Sequence, residues 1–390
     1  MNLLYILTNY PGFGGIEKVT YYIINYLQAY HGYKITIFSF GTTANELVNS
    51  QAKNTRIVFA PVPTEYTNIQ NTKALSDLLK KERYDFVVIQ DSYAPITHIF
   101  DDIEYPWRKR MIVVEHNTPF AMVKSWSSKI ISVETGELLI FKLIRNLPLI
   151  IKDYFDSMIR HRVMLNNSLR YVLLSESFRS QLKIQSLKAC KNVVSISNPL
   201  TISPLSSEIV PIKKKQFLFV GRLNFQKGIP FLLQVWREFN RTNVEEWQLV
   251  ILGGGEEKNR IEETIRKDNI RNIRIDPPTC DVEKYYEESV ALLMTSIFEG
   301  FGLVLTEAMS RGCIPLAFNT FTSLHDIVRD GKNGFIIKPF DTQKYSLCLK
   351  QIVQDTVKRE QLSKQATIDS KKFSIEIICD QWMKLFESIK

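Results

Sequence analysis

The sequence is short of the features that would place a protein outside the cytosol or on nucleic acid. Its five cysteines, Cys190, Cys280, Cys313, Cys348 and Cys379, form no C-x-x-C pair and no regular framework. That excludes a disulfide-stapled scaffold and fits reduced thiols. The opening MNLLYILTNYPGFGG has no basic n-region, and Asn9 and Pro11 break its apolar run at once, so a first strand is expected there rather than a signal peptide. The most apolar stretch, LLIFKLIRNLPLII, is interrupted by Lys142, Arg145 and Pro148 and is too short to span a bilayer. There is no low-complexity tract, no internal repeat and no nucleic-acid-binding motif, nor do aromatics interleave with the basic residues. A cytoplasmic protein without a nucleic-acid partner is expected.

What is present is enough for two cores, since 390 residues with 45% hydrophobic content exceed what a single core usually accommodates. Net charge is +9, and residues 1–198, with 23 Lys and Arg against 16 Asp and Glu, hold most of it. An anionic membrane surface or a phosphate-bearing acceptor explains the asymmetry. Seven of those cations, Lys124, Lys129, Lys142, Arg145, Lys152, Arg160 and Arg162, accompany the apolar stretch within 124–165. Two readings stay open for that segment: an amphipathic element touching the inner face of a membrane, or a helical insertion packed on a sheet.

Short apolar runs alternate with helical patterns along the chain. Strands are expected at Leu3–Leu7, Ile35–Phe38, Ile57–Ala60, Phe86–Gln90, Met111–Glu115, Tyr171–Leu174 and Val193–Ile196, with a helix over Thr72–Glu82. Runs this continuously apolar belong to a parallel sheet covered on both faces. The turn after the first strand, Tyr10 to Gly15, only superficially matches a dinucleotide fingerprint, because Glu17 stands where the third glycine would be. Pro199 to Lys215, rich in proline, serine and lysine, reads as an exposed linker. The expected division is 1–198, then 199–372, with a last helix in 373–390.

In the second half, strand Phe217–Val220 runs into Gly221-Arg222-Leu223 and Gln226-Lys227-Gly228. Two cations five residues apart suit a diphosphate, arginine as a fork and lysine as a point charge. Strands follow at Trp247–Leu252, Asn272–Ile275, Val290–Met294, Ile314–Phe318 and Gly334–Ile337, and Gly253-Gly254-Gly255 reads as a tight connection. The stretch SIFEGFGLVLTEAMSRG, Ser296 to Gly312, is a strand end, a glycine loop and a helix start near Leu303. Exposed amides at such a start suit a phosphate or sugar oxygen. Glu299 and Glu307, with seven residues between them, flank it, and carboxylates accept paired hydrogen bonds from vicinal hydroxyls. Glu115-His116-Asn117 places an imidazole at the carboxyl end of a strand, where open parallel sheets bind ligands.

Taken together, Gly14-Gly15, Glu115-His116, Gly221-Arg222-Leu223 with Lys227-Gly228, and Glu299-Gly300-Phe301-Gly302-Leu303 continuing to Glu307-Ala308-Met309 resemble the family 4 retaining glycosyltransferases of the GT-B fold. The resemblance covers most of the chain. It implies an α/β architecture of two Rossmann-like domains facing across a cleft, the second holding a nucleotide-sugar donor and the first a saccharide or lipid-linked acceptor. The expected activity is hexosyl transfer with retention, from a UDP-sugar, in cell-surface polysaccharide biosynthesis, with no cofactor. By similarity, Arg222 and Lys227 hold the diphosphate, Glu307 the ribose hydroxyls, and Glu299 with the Phe301, Gly302, Leu303 and Val304 backbone the donor sugar. Gly15 would offer an amide to the phosphate, His116 would contact the sugar, and Gly14, Asn198 and Thr279 complete the donor site. His116, Glu299, Arg222 and Lys227 are the expected catalytic set.

Fixed cations can stabilise a departing diphosphate without a metal, and no Asp-x-Asp tripeptide occurs to argue for one. The chain departs from the family pattern at Asn198-Pro199, where relatives often carry Asn-Gly, and in the 124–165 insertion. A sugar-nucleotide 2-epimerase of the same fold and a non-catalytic glycosyltransferase-like subunit are the alternatives; a glycogen phosphorylase is disfavoured by the chain's length.

Overall fold

The computed structural model describes all residues except 13, 43–54, 91–106, 121–136, 203–211 and 242–245. The chain forms two compact units. Among the described residues, the first contains those of Met1–Met122, Pro148–Thr201 and Phe373–Lys390, and the second contains those of Val123–Leu147 and Ile202–Lys372, so that part of the 124–165 segment groups with the second unit and not with the first.

The first unit is built on seven strands: β1 (Asn2–Leu7), β2 (Lys34–Ser39), β3 (Arg56–Phe59), β4 (Phe86–Ile89), β5 (Met111–Glu115), β6 (Arg170–Leu173) and β7 (Val193–Ser195). They lie in the order β3-β2-β1-β4-β5-β6-β7, all parallel. Residues 3–7, 86–89 and 111–115 are buried throughout, which is why these segments read as unbroken apolar runs rather than alternating ones. The chain's last helix, Ile375–Ser388, packs on the helix Gly15–His31, and Phe386 stacks on Phe86 of β4 with ring centroids 5.6 Å apart. Helix Ile69–Lys81 starts three residues earlier than its apolar pattern, because Asn68 caps it by accepting a 2.9 Å hydrogen bond from Gln70 N.

The apolar and basic stretch is a continuous helix, Glu137–Asn167, with Pro148 inside it. Lys124 and Lys129 fall outside the described residues. From Ser157 onward the helix is packed into the first unit through Ser157, His161, Met164 and Leu165. Before that it keeps Leu147, Ile151 and Phe155 about half exposed at four-residue spacing, with Lys152 exposed beside them. Among the described residues no helix is long and apolar enough to cross a membrane.

The second unit has six strands: β8 (Gln216–Val220), β9 (Gln248–Leu252), β10 (Ile273–Asp276), β11 (Ala291–Met294), β12 (Ile314–Phe318) and β13 (Phe335–Ile337). Their order is β10-β9-β8-β11-β12-β13, again all parallel. Phe217, stacked on Trp247 at 4.9 Å, and the buried Trp236 and Phe239 anchor its core. Each such side chain contributes on the order of 1.5–3 kcal/mol by burial. Both sheets therefore have the doubly wound arrangement, in which the strand order reverses between β1 and β4 in one and between β8 and β11 in the other. Ligands in such sheets bind beyond the strand carboxyl ends at the reversal.

Candidate active site

The loops leaving β8 and β11 meet at the reversal of the second sheet. Gly228 allows this, because its backbone is left-handed (φ 62°) and a Cβ there would lie 2.2 Å from the Thr295 carbonyl oxygen. The two loops are then laced together. Ile297 N donates to Gln226 O at 2.8 Å, Gln226 Nε2 to Phe298 O at 3.1 Å, and Thr295 Oγ1 to Lys227 O at 3.0 Å. As a result Lys227 Nζ donates to Glu299 Oε1 at 2.5 Å, and both side chains are largely buried. Arg222, on the same loop as Lys227, is exposed and has no ion pair among the described residues.

Past Glu299 the backbone turns at Gly302 (φ 90°) into the helix Leu303–Ser310, and Ser323 Oγ pins the turn by donating to Gly300 O at 2.9 Å. Leu303 and Val304 stand at the helix start, where amides have no acceptor within the helix. Phe301, in the preceding turn, is buried. Glu307 lies one turn on, nearly fully buried, and accepts a 2.8 Å hydrogen bond from the Tyr286 hydroxyl.

The Gly253-Gly254-Gly255 turn is more than a connection. A Cβ on Gly253 would lie 1.9 Å from Gly221 O, and Gly254 packs against Pro278. The turn after β9 thus touches both the Arg222 loop and the loop carrying Thr279, which is exposed and accepts from Asp281 N at 3.1 Å. An acidic hydroxyl acceptor, a lysine, a free arginine and a helix start around one strand reversal form a cradle suited to a sugar-bearing diphosphate.

Comparison with known proteins agrees with that chemistry. The family model "Glycosyltransferase Family 4" matches residues 13–199, and "Glycosyl transferases group 1" matches residues 206–369. The chain belongs to the family 4 glycosyltransferases. An uncharacterized glycosyltransferase of Haemophilus influenzae is 25% identical over 97% of this chain and 98% of its own. The amylovoran biosynthesis glycosyltransferase AmsD of Erwinia amylovora is 29% identical, over 49% of this chain and 55% of its own length. Among solved structures, Anabaena HepE in complex with UDP-glucose superposes with a TM-score of 0.74 over the whole of both chains at 15% identity, which speaks for the GT-B fold alone.

The remaining expected site residues of this glycosyltransferase lie in its first unit. Gly14 and Gly15 sit at the start of the helix Gly15–His31, Gly15 exposed, with the Glu17 carboxylate against Gly14. His116 follows β5, and its Nε2 lies 2.6 Å from Gln90 Oε1, at the carboxyl end of β4. Burial pushes the His116 imidazole down to about 4, partly opposed by the charge of Glu115. The ring is therefore neutral at pH 7, with Nε2 as donor to Gln90. Glu115 itself is fully buried, accepting from Tyr171 at 2.7 Å and lying 3.2 Å from His161 Nε2. Burial would raise its pKa, but the hydrogen bond and charge of His161, with Tyr171 and Arg160, hold it below the usual carboxylate range. Asn198 is buried beyond β7, two residues before Leu200 N donates to Phe373 O.

The structure thus brings Lys227 into contact with Glu299 and places Arg222, Thr279, Phe301–Val304 and Glu307 in the same unit. Gly14, Gly15, His116 and Asn198 stand in the other. Sequence reasoning missed Tyr286, the buried residue of the largely charged helix Val282–Glu288, and Gln90, a buried polar residue just past the apolar strand β4; in each case the exception to its neighbours was the available signal.

Proposed function

We propose that the protein transfers a hexosyl group from a UDP-sugar to a saccharide or lipid-linked acceptor, with retention and without a metal ion, in the assembly of a cell-surface polysaccharide. The observation that carries this reading is the Lys227–Glu299 pair at the reversal of the second sheet, followed at once by the Leu303 helix start and Glu307. Lys227 and Arg222 bind the diphosphate and take up the negative charge that grows as it leaves. Glu299 receives hydroxyls of the transferred sugar, and Glu307 those of the ribose. The amides of Phe301 to Val304 orient the sugar, and Thr279 lies near the base. His116, neutral, contributes a hydrogen bond to the donor sugar rather than a proton, and Gly14, Gly15 and Asn198 complete the donor site from the first unit. Attack from the face the diphosphate leaves, within an ion pair, accounts for retention without a nucleophile.

The UDP-glucose complex of HepE supports UDP, and the role of the amylovoran enzyme supports a polysaccharide product. The half-exposed Ile151 and Phe155 beside Lys152 support docking of the acceptor-side domain on an anionic membrane. Product analysis with UDP-sugars tests the reading: new glycoside should form only when acceptor is added, and should form in excess EDTA. Conversion of the donor without acceptor would mean an epimerase, and loss of transfer restored by Mg²⁺ or Mn²⁺ would overturn metal independence.

A further inference from the structure

We propose that Tyr286 is a positioning residue for nucleotide binding, its hydroxyl fixing the Glu307 carboxylate from a helix clamped to the one that carries it. The inference rests on the assignment of Glu307 to the ribose and adds the residue that makes that grip directional. Tyr286 lies on the helix Val282–Glu288, fully buried, and its hydroxyl donates to Glu307 Oε2 at 2.8 Å. A carboxylate offers about four lone-pair sites, and its last torsion is broad. A directed bond in the interior restricts the plane of the group and so the direction in which its lone pairs can meet a ligand. Burial, with the Glu307 charge, pushes the phenol far above its ordinary range, so it stays a donor at any working pH.

The two helices are held together by more than this bond. Arg311, just past the Leu303–Ser310 helix and almost fully buried, places Nη2 2.5 Å from Glu283 Oε2 and Nε 3.1 Å from Glu287 Oε1. Those glutamates are four residues apart and face the same side of the Val282–Glu288 helix. Lys213 Nζ donates to Tyr286 O at 2.9 Å and to Arg311 O at 2.7 Å, tying the carboxyl ends of both helices to one ammonium. Its partly buried ammonium is pushed below the ordinary lysine range by desolvation. Such an arrangement exceeds what packing requires, because a phenylalanine at 286 would fill the same space. The hydroxyl serves the carboxylate.

Calorimetry with UDP and with 2′,3′-dideoxyuridine 5′-diphosphate separates positioning from general support. Tyr286→Phe removes one hydrogen bond to a charged group and should weaken UDP by about tenfold while changing the dideoxy nucleotide less than about twofold. Glu307→Gln should show the same ribose dependence. Equal weakening of both nucleotides by Tyr286→Phe, or none of either, overturns the proposal. If Glu307→Gln is the variant indifferent to the ribose hydroxyls, the ribose assignment itself falls. Should Tyr286→Phe not fold, Glu283→Gln, whose partner Arg311 retains Glu287, loosens the clamp from a half-exposed position. It should give a smaller loss, about two- to threefold because it acts on the carboxylate only through the clamp, again confined to UDP, and an equal loss for both nucleotides overturns the idea.

Discussion

The neutral state of His116 can be tested without knowing the donor. Its imidazole titrates at about 4 in the folded chain against about 6.5 in an unfolded one. Between those values the unfolded chain binds a proton that the folded chain refuses, so stability must rise with pH across the window from 4 to 6.5. A separation of about 2.5 pK units, at 1.36 kcal/mol each, makes the first unit about 3 kcal/mol less stable at pH 4 than at pH 7 from this group alone. His116→Asn removes the effect, and the wild-type minus variant difference should therefore change by about that amount over the window. Two readings serve: histidine ring resonances, assigned among five histidines by the variant, and hydrogen exchange of the β4 and β5 amides, which reports local stability. A His116 resonance titrating near 6.5, or a difference flat with pH, would refute the burial argument. In catalysis the same neutrality means that kcat/KM should show no His116 ionisation between pH 5 and 7.

Three further outcomes are expected. Lys227→Ala and Arg222→Ala should each lower turnover roughly 10²-fold or more, because each removes a fixed cation from the charge on the leaving diphosphate; parental rates in a transfer assay would remove the phosphate assignment. Glu307→Gln should weaken binding of bare UDP and Glu299→Gln should not, since on the proposed assignment Glu299 serves the sugar that bare UDP lacks; calorimetry giving the reverse order would exchange the roles. Liposome co-sedimentation should require anionic lipid and weaken with salt, at up to about 1 kcal/mol for each exposed cation near the surface, and replacing Lys142, Arg145 and Lys152 by Gln should release the protein; equal pelleting with neutral vesicles, or none with either, leaves the segment a structural insertion.

Most strands could be read from the chain to within a residue, and the reason is physical. Parallel strands buried on both faces, such as Met111–Glu115 and Ile314–Phe318, leave continuous apolar runs that need no partner to be recognised. The shared strand order of the two sheets left no sequence repeat, because each core is filled by different side chains of similar volume. In the site, the glycines and charges near Ser296–Gly312 were legible because the local backbone demands them. The Lys227–Glu299 and Tyr286–Glu307 contacts were not, since each joins residues brought together only by strand order, 72 and 21 positions apart. The helical reading of the 124–165 segment fits the helix Glu137–Asn167, which runs through Pro148 although proline removes a donor from the ladder.

The contact between Lys227 and Glu299 has a bearing on turnover. Within the protein the ammonium has its counter-charge, and both groups are largely withdrawn from water. On the proposed assignment a diphosphate claims Lys227 and strands the carboxylate, and an uncompensated charge in such surroundings is expensive. An intact donor can make good the loss by turning its sugar hydroxyls toward Glu299. The nucleotide left after transfer has no sugar to offer, so the carboxylate competes to recover its lysine and drives the spent nucleotide out. On the proposed assignment, the resting pair acts as an ejector, favouring departure of the by-product over its rebinding.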